Sequence, residues 1–115
     1  MYIYDKAHEM AKLIRESPEY AEYKAGKDKV YADERAASLV EEYRKMQFEA
    51  QAAFLSGSQP EADLMDRIQK LGAILQFNPE ITAFLIAERR FHQILSDIYA
   101  IIGEAAEVDL SFLKG

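Results

Sequence analysis

The feature that most constrains the fold is a helical pattern that runs from residue 79 to residue 106 and is apolar over about half of its circumference. At about 100° per residue, most of its large apolar side chains fill one broad face, which Ile94 and Ile101 widen further. An ordinary surface helix needs an apolar arc of only about 100°. This segment must therefore contact several neighbours, which predicts the central helix of an all-α fold.

Helix-capping signals divide the chain into further helices. Each of the three prolines follows a capping side chain, at Ser17-Pro18, Ser58-Gln59-Pro60-Glu61 and Asn78-Pro79. The second of these signals also fits a capping box, and Asp33 is a fourth N-cap candidate. We predict helices at about 2–16, 18–31, 33–56, 60–77 and 79–106. We expect the second helix to be short or frayed, because Gly26 costs about 1 kcal/mol relative to alanine.

Apolar side chains at helical spacing support these assignments. The clearest seam follows the third helix, at Ala36, Leu39, Tyr43, Met46, Ala50 and Ala53. The third and fifth helices would be about 36 and 42 Å long, whereas a compact sphere of this chain length is only about 34 Å across. We predict one domain over residues 1–115, an elongated antiparallel helical bundle of about five helices with two long central helices. Such a bundle leaves apolar surface for a second copy.

Composition limits the classes of function. The chain has 115 residues, a formal net charge of −6 and no cysteine. The negative charge argues against direct nucleic-acid binding, because nucleic acids need a basic face. The absence of cysteine excludes disulfides and thiolate metal sites. Neither a secretion signal nor a membrane span is visible, so we expect a cytoplasmic protein that does not bind membranes.

No set of residues predicts catalysis. His8 and His92 are the only histidines, and Glu88 lies four residues before His92 on one helical face. A di-iron bundle would need the Glu-x-x-His motif on two helices. We therefore predict no enzyme activity, no metal and no cofactor. A small-ligand or metal carrier that uses Glu88 and His92 stays as an alternative.

Two polar residues interrupt the apolar seams, Gln47 in the third helix and Glu88 in the fifth. We predict that both are buried. A buried carboxylate needs a partner, and the candidates for Glu88 are Arg35, Arg44 and His92. Glu88 and its partner would either fix the register between helices, as polar residues do in coiled coils, or bind a ligand or take part in catalysis.

Two apolar groups lie where polar residues would be expected, and they form the candidate interface. Phe48, Ala52 and Leu55 lie on the side of the third helix opposite its seam. They predict a contact surface, unless the first two helices cover them. The C-terminal tail carries Leu110, Phe112 and Leu113. Three large apolar side chains in four positions predict docking on the same chain, on a dimer mate or on a partner.

The order of these motifs resembles the YlbF/YmcA family. The resemblance rests on Ser17-Pro18-Glu19-Tyr20 after a short first helix, then Asp33, the helix with Leu39, Tyr43 and Gln47, the Gly57 loop, Asn78-Pro79, and Ala87-Glu88 with Phe91. It implies a small all-helical bacterial cytoplasmic protein that self-associates. Some members regulate competence, sporulation and biofilm formation as subunits of a complex that influences messenger-RNA processing by a ribonuclease. Those members carry cysteines that help hold iron–sulfur clusters, and this cysteine-free chain is more similar to the YheA-type branch.

The sequence therefore predicts a non-enzymatic interaction protein, a homodimeric adaptor or regulatory subunit with an unidentified protein partner. The first alternative is an RNA-processing-associated factor that acts through a ribonuclease complex. The second is the ligand or metal carrier described above.

Overall fold

The computed structural model describes residues 1–110, of which 85% are helical. The five helices are α1 (Tyr2–Glu16), α2 (Pro18–Tyr31), α3 (Glu34–Leu55), α4 (Ala62–Leu75) and α5 (Pro79–Ala106). No strand occurs within the described range. The predicted all-α class and the five predicted helices are confirmed.

Three of the predicted caps hold the helix starts. The Ser17 hydroxyl oxygen accepts the Tyr20 backbone N–H at 3.2 Å at the start of α2. The Asn78 side-chain oxygen accepts the Ile81 N–H at 3.1 Å at the start of α5. The Asp33 carboxylate accepts two backbone N–H groups of α3, at 3.0 and 3.3 Å. These bonds satisfy donors that have no partner inside the helix, which explains why the boundaries follow the caps.

The capping box at Ser58 is wrong. Helix α4 begins at Ala62 after Glu61, whose side chain makes no capping hydrogen bond. The Ser58 N–H instead donates to the Ala53 carbonyl at 2.9 Å, and Gly57 has a φ of 83°. This is the Schellman closure of a helix C-terminus, which glycine favours because it lacks a Cβ. The Ser58 backbone N–H therefore caps the end of α3, and Ser58 does not begin α4.

The chain divides into two compact units, one of which spans residues 27–83. Here α3 packs against α4. The buried apolar residues of this unit are Val30, Ala36, Val40, Met46, Ala50, Leu64, Leu71, Leu75 and Ile81. Five of the six predicted seam positions of α3 carry half-buried or small side chains, and only Met46 is both large and buried. Large apolar residues of α4 therefore supply much of the packed volume.

The second unit comprises residues 1–26 and the described residues from 84 onward. Its buried apolar residues are Phe84, Ala87 and Phe91 of α5. The rings of Tyr20 and Tyr23 of α2 lie 5.4 and 5.1 Å from the Phe91 ring. These aromatic contacts attach α2 to α5.

Helix α2 is neither short nor frayed, so that prediction is wrong. It runs without interruption from Pro18 to Tyr31. Gly26 faces Phe84, and a Cβ on Gly26 would lie 3.2 Å from the Phe84 Cα. The glycine therefore permits a close approach of α2 to α5, and the packing gained outweighs its low helix propensity.

The end of α5 folds back on itself. The Val108 N–H donates to the Gly103 carbonyl at 2.8 Å, and Glu107 has a φ of 57°. This is again a Schellman closure, here with a glutamate in the left-handed position. A Cβ on Gly103 would lie 2.6 Å from the Val108 carbonyl oxygen and 3.4 Å from Leu110 Cγ. Gly103 is therefore required for the chain to return across α5.

Candidate protein interface

Helix α1 carries an apolar face that is exposed in the described part of the chain. Ile3, Ala7, Met10 and Ile14 share one side at the spacing of a helix, but none of the residues of α1 is buried. Ile3 is 63% exposed, and only Ile14 is half-buried. Leu13, beside this stripe, is also exposed. We call Ile3, Met10 and Leu13 the α1 face.

The apolar face of α5 is covered at one end and bare at the other. Phe84, Phe91, Ile98 and Ile102 follow one another at steps of seven, seven and four residues, so they lie on one side of the helix. Phe84 is 1% exposed and Ile102 is 53% exposed. Ile101 and Val108 are exposed as well. We call Ile101, Ile102 and Val108 the α5 end.

The outer stripe of α3 lies where the sequence predicts it. Phe48 is 71% exposed, Leu55 is 82% exposed, and Ala52 between them is exposed. Within the unit of residues 27–83, no described helix covers them. Cover by the first two helices stays the alternative. The role of this stripe as a contact surface stays a prediction.

The tail begins by docking on its own chain. Leu110 is half-buried and lies over Gly103. The predicted contact residues Phe112 and Leu113 lie outside the described residues. For the described part of the tail, the observed contact is therefore with α5.

The two predicted buried polar residues are less buried than expected. Gln47 is exposed, so the prediction of its burial is wrong for the single chain. It directly follows the buried Met46, and the helical rotation between neighbours carries it out of the seam. Glu88 is half-buried beside the buried Ala87. Its side chain therefore keeps part of its contact with water.

His92 belongs to an aromatic cluster. Its ring lies 6.2 Å from the Tyr23 ring and 6.5 Å from the Phe91 ring, and the residue is half-buried. Among residues 1–110, no three acidic or histidine side chains converge as a metal-binding group. The structure therefore places His92 at the boundary of the α2–α5 packing.

Sequence reasoning missed several exposed apolar residues. Helical spacing places Ile102 on the broad apolar face of α5 and Ile101 beside it, and it gives no sign that the cover of this face ends before them. Phe77, in the turn between α4 and α5, is also exposed. A hydrophobic staple would pair Phe77 with the fourth residue of α5, but that residue is the polar Thr82, so the sequence offers Phe77 no local apolar partner.

In the described part of the chain, no helix combines the length and the apolarity that a membrane crossing requires.

The fold and these surfaces define a class of small helical proteins that expose apolar helix faces. A family model described as control of competence regulator ComK, YlbF/YmcA, matches residues 3–107. The chain belongs to the YlbF/YmcA family. The resemblance read from the caps and seams is thereby confirmed.

Individual relatives agree with this assignment. A UPF0342 protein of Symbiobacterium thermophilum is 36% identical over 112 residues, which cover 97% of this chain and 100% of the relative. A UPF0342 protein of Clostridium tetani is 34% identical and covers 97% of each chain. A solved structure, a protein of unknown function (DUF964) from Bacillus stearothermophilus, superimposes with a TM-score of 0.76 at 20% identity over 93% of this chain and 94% of that one. That solved structure therefore has the same helical fold as this chain.

Proposed function

We propose that this chain is a cytoplasmic regulatory subunit that acts as a homodimer and without catalysis. The family description, control of a competence regulator, supports a regulatory role. The single observation that carries the homodimer is the open face of α1, a helix of 15 residues without a buried residue.

The stability of α1 favours a second chain that covers it. Isolated helices of up to about 12–15 residues are marginal in water, and most helical stability in proteins comes from packing an apolar face. Fully burying one large aliphatic side chain contributes about 1.5–3 kcal/mol. The α1 face offers three such side chains in each copy. A partner that covers it would therefore stabilise both α1 and the complex.

The outer stripe of α3 is a further contributor to the proposed contact surface. Phe48 and Leu55 are seven residues apart, which is two helical turns, and Ala52 between them permits close approach. Exposed aromatic side chains on a helix face are typical of contact surfaces. We propose that this stripe contributes to the homodimer.

Light scattering at micromolar concentration tests the homodimer. We expect about twice the chain mass of 13.1 kDa. Phe48→Glu should weaken the dimer, whereas Gln51→Glu, which adds the same charge at an exposed position of α3, should not. A monomeric wild type would overturn the proposal. A dimer that tolerates Phe48→Glu would remove only the α3 stripe from the contact surface.

The regulatory role needs a test in the cell. Deletion of the gene in its native bacterium should change the levels of specific transcripts, and the wild-type gene should restore them. A variant that is folded but monomeric should fail to restore them if the dimer is the active form. Unchanged transcripts after deletion would contradict the regulatory role.

A further inference from the structure

We propose that α1 of each copy packs on the α5 end of the other copy, so that two reciprocal helix contacts hold the dimer. This proposal rests on the homodimer proposed above and names the surfaces that form it. Two observations carry it: both surfaces are exposed in the described chain, and the apolar area that they offer fits a stable dimer.

The α5 end continues a face that is already used for packing. Within one chain, α2 covers this face around Phe84 and Phe91 through Tyr20 and Tyr23. Beyond Phe91 the apolar pattern continues to Ile102 while the exposure rises. A helix face that stays apolar beyond the part covered by its own chain can pack against a second helix. The α1 face has the helical spacing that such packing needs.

The area fits a stable dimer. The α1 face and the α5 end together offer six large apolar side chains per copy, each at least 45% exposed. With about 60–120 Å² for each fully buried side chain, two copies would bury on the order of 800 Å² of apolar surface. About 60% of a typical interface is apolar, which brings the total to roughly 1,300 Å². Stable interfaces bury about 1,200–2,000 Å².

Charge favours α1 as the helix that docks there. Helix α1 balances three acidic residues with three basic residues, Lys6, Lys12 and Arg15. Residues 91–110 contain four acidic residues and no lysine or arginine: Asp97, Glu104, Glu107 and Asp109. An acidic helix would be repelled from this end of α5, whereas α1 is neutral. Lys6 and Lys12 pair with Glu9 and Glu16 of α1 itself, and Arg15 can supply opposite charge at the rim.

Reciprocity explains why the occupant is a second copy. Each chain carries both surfaces, so a two-fold axis pairs α1 with α5 twice and leaves neither surface open. A different partner would have to cover the α1 face and the α5 end separately. The second copy covers both with one symmetric contact.

Cross-linking of introduced cysteines tests the pairing, because the natural chain has none. One sample mixes a tagged Leu13→Cys chain with an untagged Ile101→Cys chain, and a short bismaleimide joins cysteines that lie close together. The control mixes Leu13→Cys with Ile74→Cys, whose cysteine is exposed on α4 and belongs to none of the proposed contact surfaces. We expect at least fivefold more cross-linked heterodimer in the first sample. Equal yields in the two samples would overturn the proposal.

Two further measurements separate the possible failures. If light scattering shows a monomer, the homodimer itself fails, and the pairing fails with it. If a dimer is present but Leu13 and Ile101 do not cross-link between chains, only the pairing fails. In a chain with both cysteines, a cross-link confined to single chains would show that α1 packs on its own α5, which also overturns the pairing.

Discussion

Gly26 in α2 lies so close to Phe84 in α5 that a Cβ on the glycine would be 3.2 Å from the Phe84 Cα and 3.3 Å from its Cβ. Phe84 is fully buried, and rotation of its side chain moves neither its Cα nor its Cβ away from the glycine. We expect Gly26→Ala to lower the free energy of unfolding by about 1 kcal/mol, because overpacking costs about 1–3 kcal/mol and alanine regains only about 1 kcal/mol of helix propensity. Urea denaturation measures this change.

Gly72→Ala is the matched control for that prediction. Gly72 is also inside a helix, but a Cβ there would lie 3.6 Å from the Tyr43 hydroxyl oxygen, which is ordinary contact. The gain in helix propensity should then raise stability by up to about 1 kcal/mol. If both variants were equally stabilised, the close approach at Gly26 would not be real.

Much of the helical framework could be predicted from local chemistry. Ser17, Asp33 and Asn78 each hold a helix start through a hydrogen bond within three residues, so their caps can be read without knowledge of the fold. Gly26 could not be read in this way. The effect of Gly26 on stability depends on Phe84, which lies 58 positions later in the chain. Helix propensity alone would predict that Gly26→Ala raises the free energy of unfolding.

The candidate interface was less predictable. The Phe48 stripe is visible because it lies opposite a seam, whereas Ile102 continues a core face and is indistinguishable from a buried residue by spacing. Exposure at Ile102 arises because the cover from α2 ends, which is a property of the tertiary structure. Gln47 is a similar case. A helix turns about 100° per residue, so Gln47 lies outside the seam although it directly follows the buried Met46.

Glu107→Gly should stabilise the chain. Glu107 occupies the left-handed region with a φ of 57°, where a non-glycine residue costs about 1–2 kcal/mol. Glycine removes this cost but loses part of the gain through its freedom in the unfolded chain. We expect a net gain of about 0.5–1 kcal/mol in thermal or urea unfolding. Glu104→Gly, inside α5, should instead cost about 1 kcal/mol. A loss of stability in Glu107→Gly would contradict the Schellman closure of α5.

Asp33→Ala and Ser58→Ala should differ in their effect on stability. The Asp33 carboxylate accepts two hydrogen bonds at the start of α3, so its loss should cost about 0.5–2 kcal/mol. The Ser58 side chain does not cap α4, because the N-cap of that helix is Glu61. Its replacement should change stability by less than about 0.5 kcal/mol. Equal losses in guanidinium unfolding would restore the capping box that the structure rejects.

Hydrogen exchange of α1 at two protein concentrations tests the central claim most directly, namely that a second copy covers this helix. Amide protection in α1 reports the free energy of its local opening, and binding of a second chain raises that free energy by mass action. We predict that the amides of residues 5–16 exchange at least tenfold more slowly in a concentrated dimeric sample than in a dilute monomeric one. The amides of α3 and α4 in the buried seam, such as that of Leu71, serve as the internal reference and should change less. Equal protection of α1 at both concentrations, over a range in which light scattering shows dissociation, would contradict the account.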